Sequence, residues 1–383
     1  LFRSIWTFDP ERIADPNRKS APWVWDLIAS VQSIADAKRI ADCWRYASGQ
    51  PQTGGDDFFP GTAAQQLADY LFAAHLGGRS VSDVFRWCSN ERDTSPADIL
   101  SEYPRYAGIA SRVSSVIALT PETRSGVFGS LQTMVAFLAD PEIIDWIDPH
   151  RDTNGNIDER RGLFDPYEFA TSEDTLYLLS AQGRPSTALT ASLTAVVAFT
   201  AFQRAQSEFT GNNRRLPVPL CCVLDEAANI CRWPELADVY SYFGSAGIPI
   251  MTIWQNPDQG RAAFGETNFG SLFNNANITV YLGGIKDAKF LGEISQLVGQ
   301  REIVRGSVNI DGTGRRSVNN SIQKENILDV SDLTEWPVGR ALLLASQSRA
   351  QIVKTLPWTG NRQWADALAQ AKAKAREEQR KAA

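Results

Sequence analysis

Asp225 and Glu226 stand directly behind five apolar residues, Leu220 to Leu224, in the stretch PVPLCCVLDEAANI (Pro217 to Ile230). Two adjacent carboxylates at the end of such a strand suit one chemistry especially well. The first holds Mg²⁺ on a nucleotide triphosphate, usually through water, and the second polarises the attacking water. This is the Walker B arrangement. Taken alone, the pair fits equally well a simple cap on the following segment. A second feature shifts the balance. The stretch IPIMTIWQ (Ile248 to Gln255) is another apolar run that ends in a polar residue, Gln255, followed by Asn256 and Pro257. A Gln at the tip of the strand beside Walker B can sense a γ-phosphate and orient the water.

These side chains act together only if a fold brings them to one edge, and the hydropathy pattern indicates which fold. Beyond Gly162, apolar strand-like runs alternate with helical ones. TLYLLSA (Thr175 to Ala181), VPLCCVL, IPIMTIW, ITVYLGG, GRALLLAS and AQIVKTLPW read as strands. A helix from about Thr187 to Ser207, with Ser186 as its N-cap, PELADVYSYFGSA and DAKFLGEISQLVG read as helices. Strands apolar on both faces that alternate with helices imply a mostly parallel α/β sheet covered on both sides. In such sheets ligands bind at the carboxyl ends of the strands, where Asp225, Glu226 and Gln255 fall. Before that region the pattern differs. IWTFDPERI opens with a short β-type run, Ile5 to Phe8. From about Trp25 to Pro149 apolar residues recur at helical spacing, as in IASVQSIADAKRIADCWRYA. The polar loop DPHRDTNGNIDERRG closes that part.

Composition narrows the function classes. A net charge of −6 rules out a wholly basic nucleic-acid binder but leaves room for a local basic channel. The cysteines, Cys43, Cys88, Cys221, Cys222 and Cys231, show no CxxC spacing and read as reduced core residues of a cytosolic protein. The longest near-apolar stretch, Leu189 to Phe202, carries three threonines and a serine, falls short of the roughly 20 residues of a membrane span and reads as a buried helix, so the chain is expected to be soluble. The run Asp152 to Leu163 imitates a calcium loop, but Ile157 replaces the required Gly and Leu163 the required Glu. His75 and His150 lie far apart, which disfavours a metal site. There is no G-x-S-x-G. The tryptophans, Trp23, Trp25 and Trp44 among them, read mostly as core, with base stacking open to one or two.

The segment LPVPLCCVLDEAANICRWPEL…YFGSAGIPIMTIWQNPDQ resembles the ATPase core of type IV secretion coupling proteins, the conjugative DNA-transfer ATPases of the TraG/TraD kind. The resemblance extends to FDPERI, to FDPYEFATSEDTLYLLSAQGR, to NNANITVYLGGIKDAKFLGEISQLVGQRE and to ENILDVSDLTEWPVGRALLLASQSRAQIVKTLPW, in the family's order over roughly residues 1 to 358. It implies a RecA-like P-loop-NTPase-type sheet interrupted by an all-α inserted domain. The parts would be residues 1–28 and 159–360 for the ATPase domain, 29–158 for the insertion and 361–383 for a charged helical tail. It implies ATP and Mg²⁺ as cofactors, with Asp225 supporting the metal, Glu226 as general base and Gln255 coupling phosphate state to motion. Relaxase or relaxosome proteins, single-stranded DNA and secretion-channel components would be the partners. Family members work as hexamers at the cytoplasmic face of the membrane, anchored by helices N-terminal to the ATPase domain; for the isolated chain a monomer is expected.

Two departures stand out. The pattern G-x-x-x-x-G-K-[ST] is absent, as is any Gly-Lys dipeptide. In the family that loop lies upstream of the FDP strand, so it is expected before residue 1. Inactivity of this chain alone follows. The family also places a basic residue shortly before the Gly-Ile strand, where this chain reads YFGSAGIP. Arg184 and Arg232 are the remaining candidates for an arginine that reaches a neighbouring subunit. The alternatives are an inactive RecA-like scaffold that recruits cargo, or a related DNA- or protein-pumping translocase.

Overall fold

The structure, a computed structural model, describes residues 4–50, 57–149, 161–181, 186–310 and 316–382. The chain divides into two compact units, residues 1–274 and 275–383.

The first unit opens with two short strands, β1 (Ile5–Phe8) and β2 (Trp23–Trp25). Among the described residues seven α-helices follow: α1 (Ile34–Ala47), α2 (Phe58–Leu76), α3 (Val81–Ser89), α4 (Ser95–Ser101), α5 (Ala107–Ile117), α6 (Pro121–Val135) and α7 (Pro141–Ile147). Their limits are written in local chemistry. Ser33 caps α1 by accepting from the Asp36 N–H, and Ser80 with Asp83 forms a reciprocal capping box on α3. The helical stretch therefore starts at Ile34 rather than near Trp25. Trp23 to Trp25 instead forms a strand, because it pairs in parallel with β3 (Gly162–Phe164), a partner far along the chain. Asp140-Pro141 divides α6 from α7, since the proline ring excludes the preceding turn.

The α/β part continues with α8 (Pro166–Phe169), β4 (Thr175–Leu178), α9 (Thr187–Glu208), β5 (Cys222–Leu224), α10 (Ala227–Ile230), α11 (Leu236–Val239), β6 (Ile250–Thr252), α12 (Pro257–Phe264) and α13 (Glu266–Asn275). Parallel pairing is found for β1–β4, β2–β3 and β5–β6. Residues Thr187 to Ala198 of α9 are all buried, as expected for its apolar stretch. Ser186 occupies the N-cap position but does not cap: its hydroxyl donates to Glu11 Oε1 at 2.6 Å. PELADVYSYFGSA forms only the short α11, followed by a 3₁₀ turn over Phe243–Ala246.

The tryptophans organise the core. Trp23 packs against Trp6, Phe8, Trp146 and Phe164 with ring centroids 5.6, 5.9, 5.0 and 5.3 Å away. Trp23, Trp25 and Trp44 are buried, which removes them as stacking platforms for bases. Cys43, Cys88 and Cys231 are buried, and burial pushes the Cys231 thiol up to about 12, so it stays protonated and inert. Cys221 departs from the expectation: it is exposed. So are Val223 and Met251, opposite each other in the β5–β6 register, at 61% and 58% exposure. Strands β5 and β6 are thus not covered on both faces, contrary to the expectation from their apolar runs.

The second unit contains β7 (Ile278–Tyr281), α14 (Ala288–Val298), β8 (Gln300–Ile310), β9 (Arg316–Asn326), α15 (Val330–Thr334), β10 (Arg340–Ala345), β11 (Gln351–Lys354) and α16 (Arg362–Ala382). Here the pairing is antiparallel, in the order β11–β10–β7, with β8–β9 as a separate hairpin. The mostly parallel arrangement therefore holds for the first unit alone. The link from β10 to β11 is too short for the crossover a parallel pair requires.

One buried charge in the helical region gives a test of its packing. Asp69 is fully buried and accepts from Arg112 Nε and Nη2 at 2.8 and 2.7 Å. Burial raises its carboxyl above the ordinary range, while Arg112 and Gln65 pull it back. Arg112→Ala leaves that carboxylate without its cation and is expected to destabilise the first unit by roughly 2–3 kcal/mol, less than the loss from a fully buried pair because the Arg112 side chain is 43% exposed. The sign with pH follows from the upward shift. A carboxyl whose folded pKa exceeds its unfolded value is penalised when charged, and the penalty fades as pH falls towards about 4. The deficit of the variant should therefore shrink in acid. Urea midpoints near pH 7 and near pH 4.5 check this; equal deficits at both would exclude the buried charge as the cause.

Candidate nucleotide site

The parallel register of β5 and β6 sets Cys222, Val223 and Leu224 beside Ile250, Met251 and Thr252. Two backbone bonds carry the pairing past the strand ends. The Ile253 N–H donates to the Leu224 carbonyl at 3.0 Å, and the Ala227 N–H to the Ile253 carbonyl at 3.2 Å. Asp225, Glu226 and Gln255 consequently meet at one carboxyl edge, where the strand directions require them to be.

Glu226 adopts a left-handed backbone, with φ 48° and ψ 46°. That conformation is uncommon outside glycine and costs on the order of 1 kcal/mol. It turns the chain sharply from β5 into α10. Gln255 Nε2 then donates to Glu226 Oε1 at 2.8 Å. Asp225 Oδ1 accepts from the Glu226 N–H at 3.1 Å. Asp225 and Gln255 are exposed and Glu226 is half-buried, so a reactant can approach all three.

The neighbours of Gln255 hold its position from both sides. Trp254 donates through Nε1 to Thr252 Oγ1 at 2.9 Å and packs edge-on against Phe264 and Phe269. Asn256 caps α12 by accepting from the Gln259 N–H at 2.9 Å, and Pro257 occupies its first turn. Gln255 is thereby confined to the short link between a strand and a capped helix.

The donor set fits a hard cation with few protein ligands. Among the described residues no group of three or more His, Cys, Asp or Glu side chains converges on one point. Mg²⁺ keeps several waters and takes one or two carboxylates together with phosphate oxygens, so a single exposed Asp225 suits it better than Zn²⁺ or Ca²⁺. Of the arginine candidates, Arg232 donates from Nε to the Ala228 carbonyl at 3.2 Å, a bond within its own loop. Arg184 and His150 lie outside the described residues, as does most of the calcium-like run, of which Leu163 falls on β3. His75 places Nδ1 3.3 Å from the Ile28 carbonyl.

Sequence reasoning passed over Glu11, three residues beyond the β1 strand. Its carboxylate accepts from the Ser186 hydroxyl and from the Ala181 N–H, and Ser180 lies 2.7 Å from Ser186, Oγ to Oγ. This ties the carboxyl ends of β1 and β4 to the start of α9. No spacing in the sequence signals it, because Glu11 and Ser186 are far apart in the chain. Arg39 is a second such case. It donates to Asp36 and, at 2.9 Å, to Glu235, just beyond the acid pair.

Comparison with solved structures identifies the class of fold. The bacterial conjugative coupling protein TrwBdeltaN70, in its unbound form, superposes with a TM-score of 0.61 at 15% identity, over 92% of this chain and 78% of that one. TrwB in complex with a non-hydrolysable ATP analogue matches with 0.60 at 14% identity, and TrwB with ADP and Mg²⁺ with 0.59 at 14%, each over 92% of this chain and 78% of the other. The chain therefore shares the fold of TrwB over most of its length. Residues 219–338 also match the family model described as the TraM recognition site of TraD and TraG. No curated protein matches the chain. The family match takes in the segment that carries Asp225, Glu226 and Gln255.

Proposed function

We propose that the chain is the motor portion of a conjugative coupling protein, which recruits relaxase-bound single-stranded DNA or protein to a type IV secretion channel and drives its transfer by ATP hydrolysis. The observation that carries this reading is the Glu226–Gln255 hydrogen bond at the shared carboxyl edge of β5 and β6, inside the segment that matches the TraG/TraD family model. In the proposed scheme Asp225 holds Mg²⁺ through water, and the ion offsets phosphate charge. Glu226 takes the proton of the attacking water. Gln255 orients that water and, through its bond to Glu226, reports whether the γ-phosphate is present. The phosphate-binding loop comes from sequence outside these 383 residues, and the working assembly is a hexamer at the cytoplasmic face of the membrane. The helices between residues 29 and 158 form the inserted domain that receives cargo.

Among the described residues no single helix is long and apolar enough to cross a membrane.

Gln255→Ala tests the proposal. In a form of the protein that carries the phosphate-binding loop, the variant should bind Mg-ATP normally. Its hydrolysis, and any stimulation by single-stranded DNA, should fall by about 10²-fold, the lower range for losing a positioned proton-transfer geometry. Steady-state phosphate release with and without DNA gives the readout. Undiminished, DNA-stimulated turnover would remove Gln255 from the scheme. Absence of ATPase activity in the wild-type protein with an intact loop would favour the inactive cargo scaffold instead.

A further inference from the structure

The first unit contains a cleft that none of Asp225, Glu226 and Gln255 lines. It is a cleft of about 490 Å³ between the start of α1, the β3–α8 corner and the middle of α9. That volume falls within the range of roughly 300–1,000 Å³ of ligand-binding clefts. Its lining combines two properties that bear on what could occupy it.

The first property is negative charge. Asp26, Asp36 and Asp165 line the cleft, and Arg39 is the single cationic side chain among its described lining residues. Arg39 is already committed. It is almost fully buried, bonds Asp36 and Glu235 at 2.9 Å each, and stands 3.5 Å over the Phe199 ring. The second property is exposed apolar surface at the rim. Leu163 and Tyr167 are 46% and 47% exposed. Tyr167 is nonetheless fixed: its hydroxyl donates to Glu208 at 2.5 Å, and the Arg204 guanidinium stacks 3.9 Å over its ring. A partner that buries this ring finds it already ordered, which lowers the entropic cost of association.

Anionic ligands are disfavoured here by the same charge that would repel a nucleotide or a DNA strand. We propose that this cleft docks a basic, amphipathic peptide segment of a protein partner, with a Lys or Arg side chain on Asp165, the exposed carboxylate of the three, and an apolar side chain across Leu163 and Tyr167. The charge complementarity selects the cation and the rim selects the apolar residue. The Arg39–Glu235 bond joins the cleft wall to the segment that follows Asp225 and Glu226. The proposal rests on the cleft alone and does not require the nucleotide reading.

The test is fluorescence anisotropy on the 383-residue chain, without nucleotide. The probe is a labelled peptide of Lys, Leu and Ala, about twelve residues long with a net charge of about +4, at low ionic strength. Saturable binding is expected. The double change Asp165→Asn with Tyr167→Ala should weaken it by about tenfold or more, as should Leu163→Lys at its exposed position. Asp366→Asn on the exposed helix α16 alters net charge by the same amount as Asp165→Asn and should leave binding unchanged. Thermal unfolding of each variant identifies loss of fold; Leu163→Lys remains decisive if the double variant is unstable. Equal binding by wild type and a folded cleft variant would overturn the proposal. Equal weakening by Asp366→Asn would reduce the effect to general charge and overturn it too, as would equally tight binding of a Glu-substituted peptide or of an oligo-dT strand.

Discussion

Glu226→Gln, made in a form of the protein that carries a phosphate-binding loop, is expected to bind ATP as the wild type does and to hydrolyse it about 10²–10⁴-fold more slowly. The amide keeps the size and the left-handed backbone position of Glu226, and its oxygen can still accept from Gln255 Nε2 as Glu226 Oε1 does at 2.8 Å. What it loses is the ability to take a proton. Uptake by a carboxylate costs little, whereas a side-chain amide oxygen is far too weak a base near neutral pH. A binding measurement separates this from collapse of the site, since only turnover should change. Two outcomes count against the assignment. Turnover close to wild type would free Glu226 of the role of base. Loss of binding together with turnover would mean that the side chain shapes the site rather than serving the reaction. Asp225→Asn supplies the contrast: it should weaken the response to Mg²⁺ concentration, because its proposed role is to the ion and not to the water.

The second large effect concerns the phosphates. These 383 residues contain no G-x-x-x-x-G-K-[ST] pattern. Such a loop supplies a ring of backbone N–H groups and a lysine to the triphosphate. Without it, Asp225 and Glu226 are two carboxylates facing an anion of similar sign, with only Mg²⁺ between them to offset the repulsion. The exposed position of Asp225 and Gln255 adds water to the problem, since screening weakens whatever attraction the ion provides. The chain by itself should therefore show no micromolar affinity for Mg-ATP and no hydrolysis above background. A form extended by a phosphate-binding loop should regain both, a gain of at least about 10³-fold in affinity if millimolar binding becomes micromolar. Calorimetry on the two forms is the measurement. Tight binding by the short form would show that another loop holds the phosphates and that the site has been misplaced. Weak binding by the extended form would support the scaffold alternative.

Much of the site was legible in the chain itself. An apolar run ending in Asp225-Glu226 and another ending in Gln255 mark strand ends, because a strand buried among apolar neighbours must put its charges beyond its tip. Other elements escaped because nothing local encodes them. Trp23 to Trp25 becomes a strand only by pairing with Gly162 to Phe164. Gln300–Ile310 and Arg316–Asn326 form a hairpin whose mixed polar and apolar residues carry no strong period. Ser186 looked like a cap, yet its hydroxyl is claimed by Glu11 from another strand end.

The sequence by itself determined which residues could carry the chemistry, that a helical stretch fills most of the chain before Pro149, and that an α/β part follows it, since residue type and apolar spacing act over one or two turns. Only the tertiary structure decided that Gln255 reaches Glu226, that Arg39 bridges Asp36 and Glu235, and that Leu163, Tyr167 and three aspartates share one cleft. Each of these depends on register between segments distant in the chain. A strand slipped by one residue would turn every side chain to the opposite face, and no local pattern specifies that register.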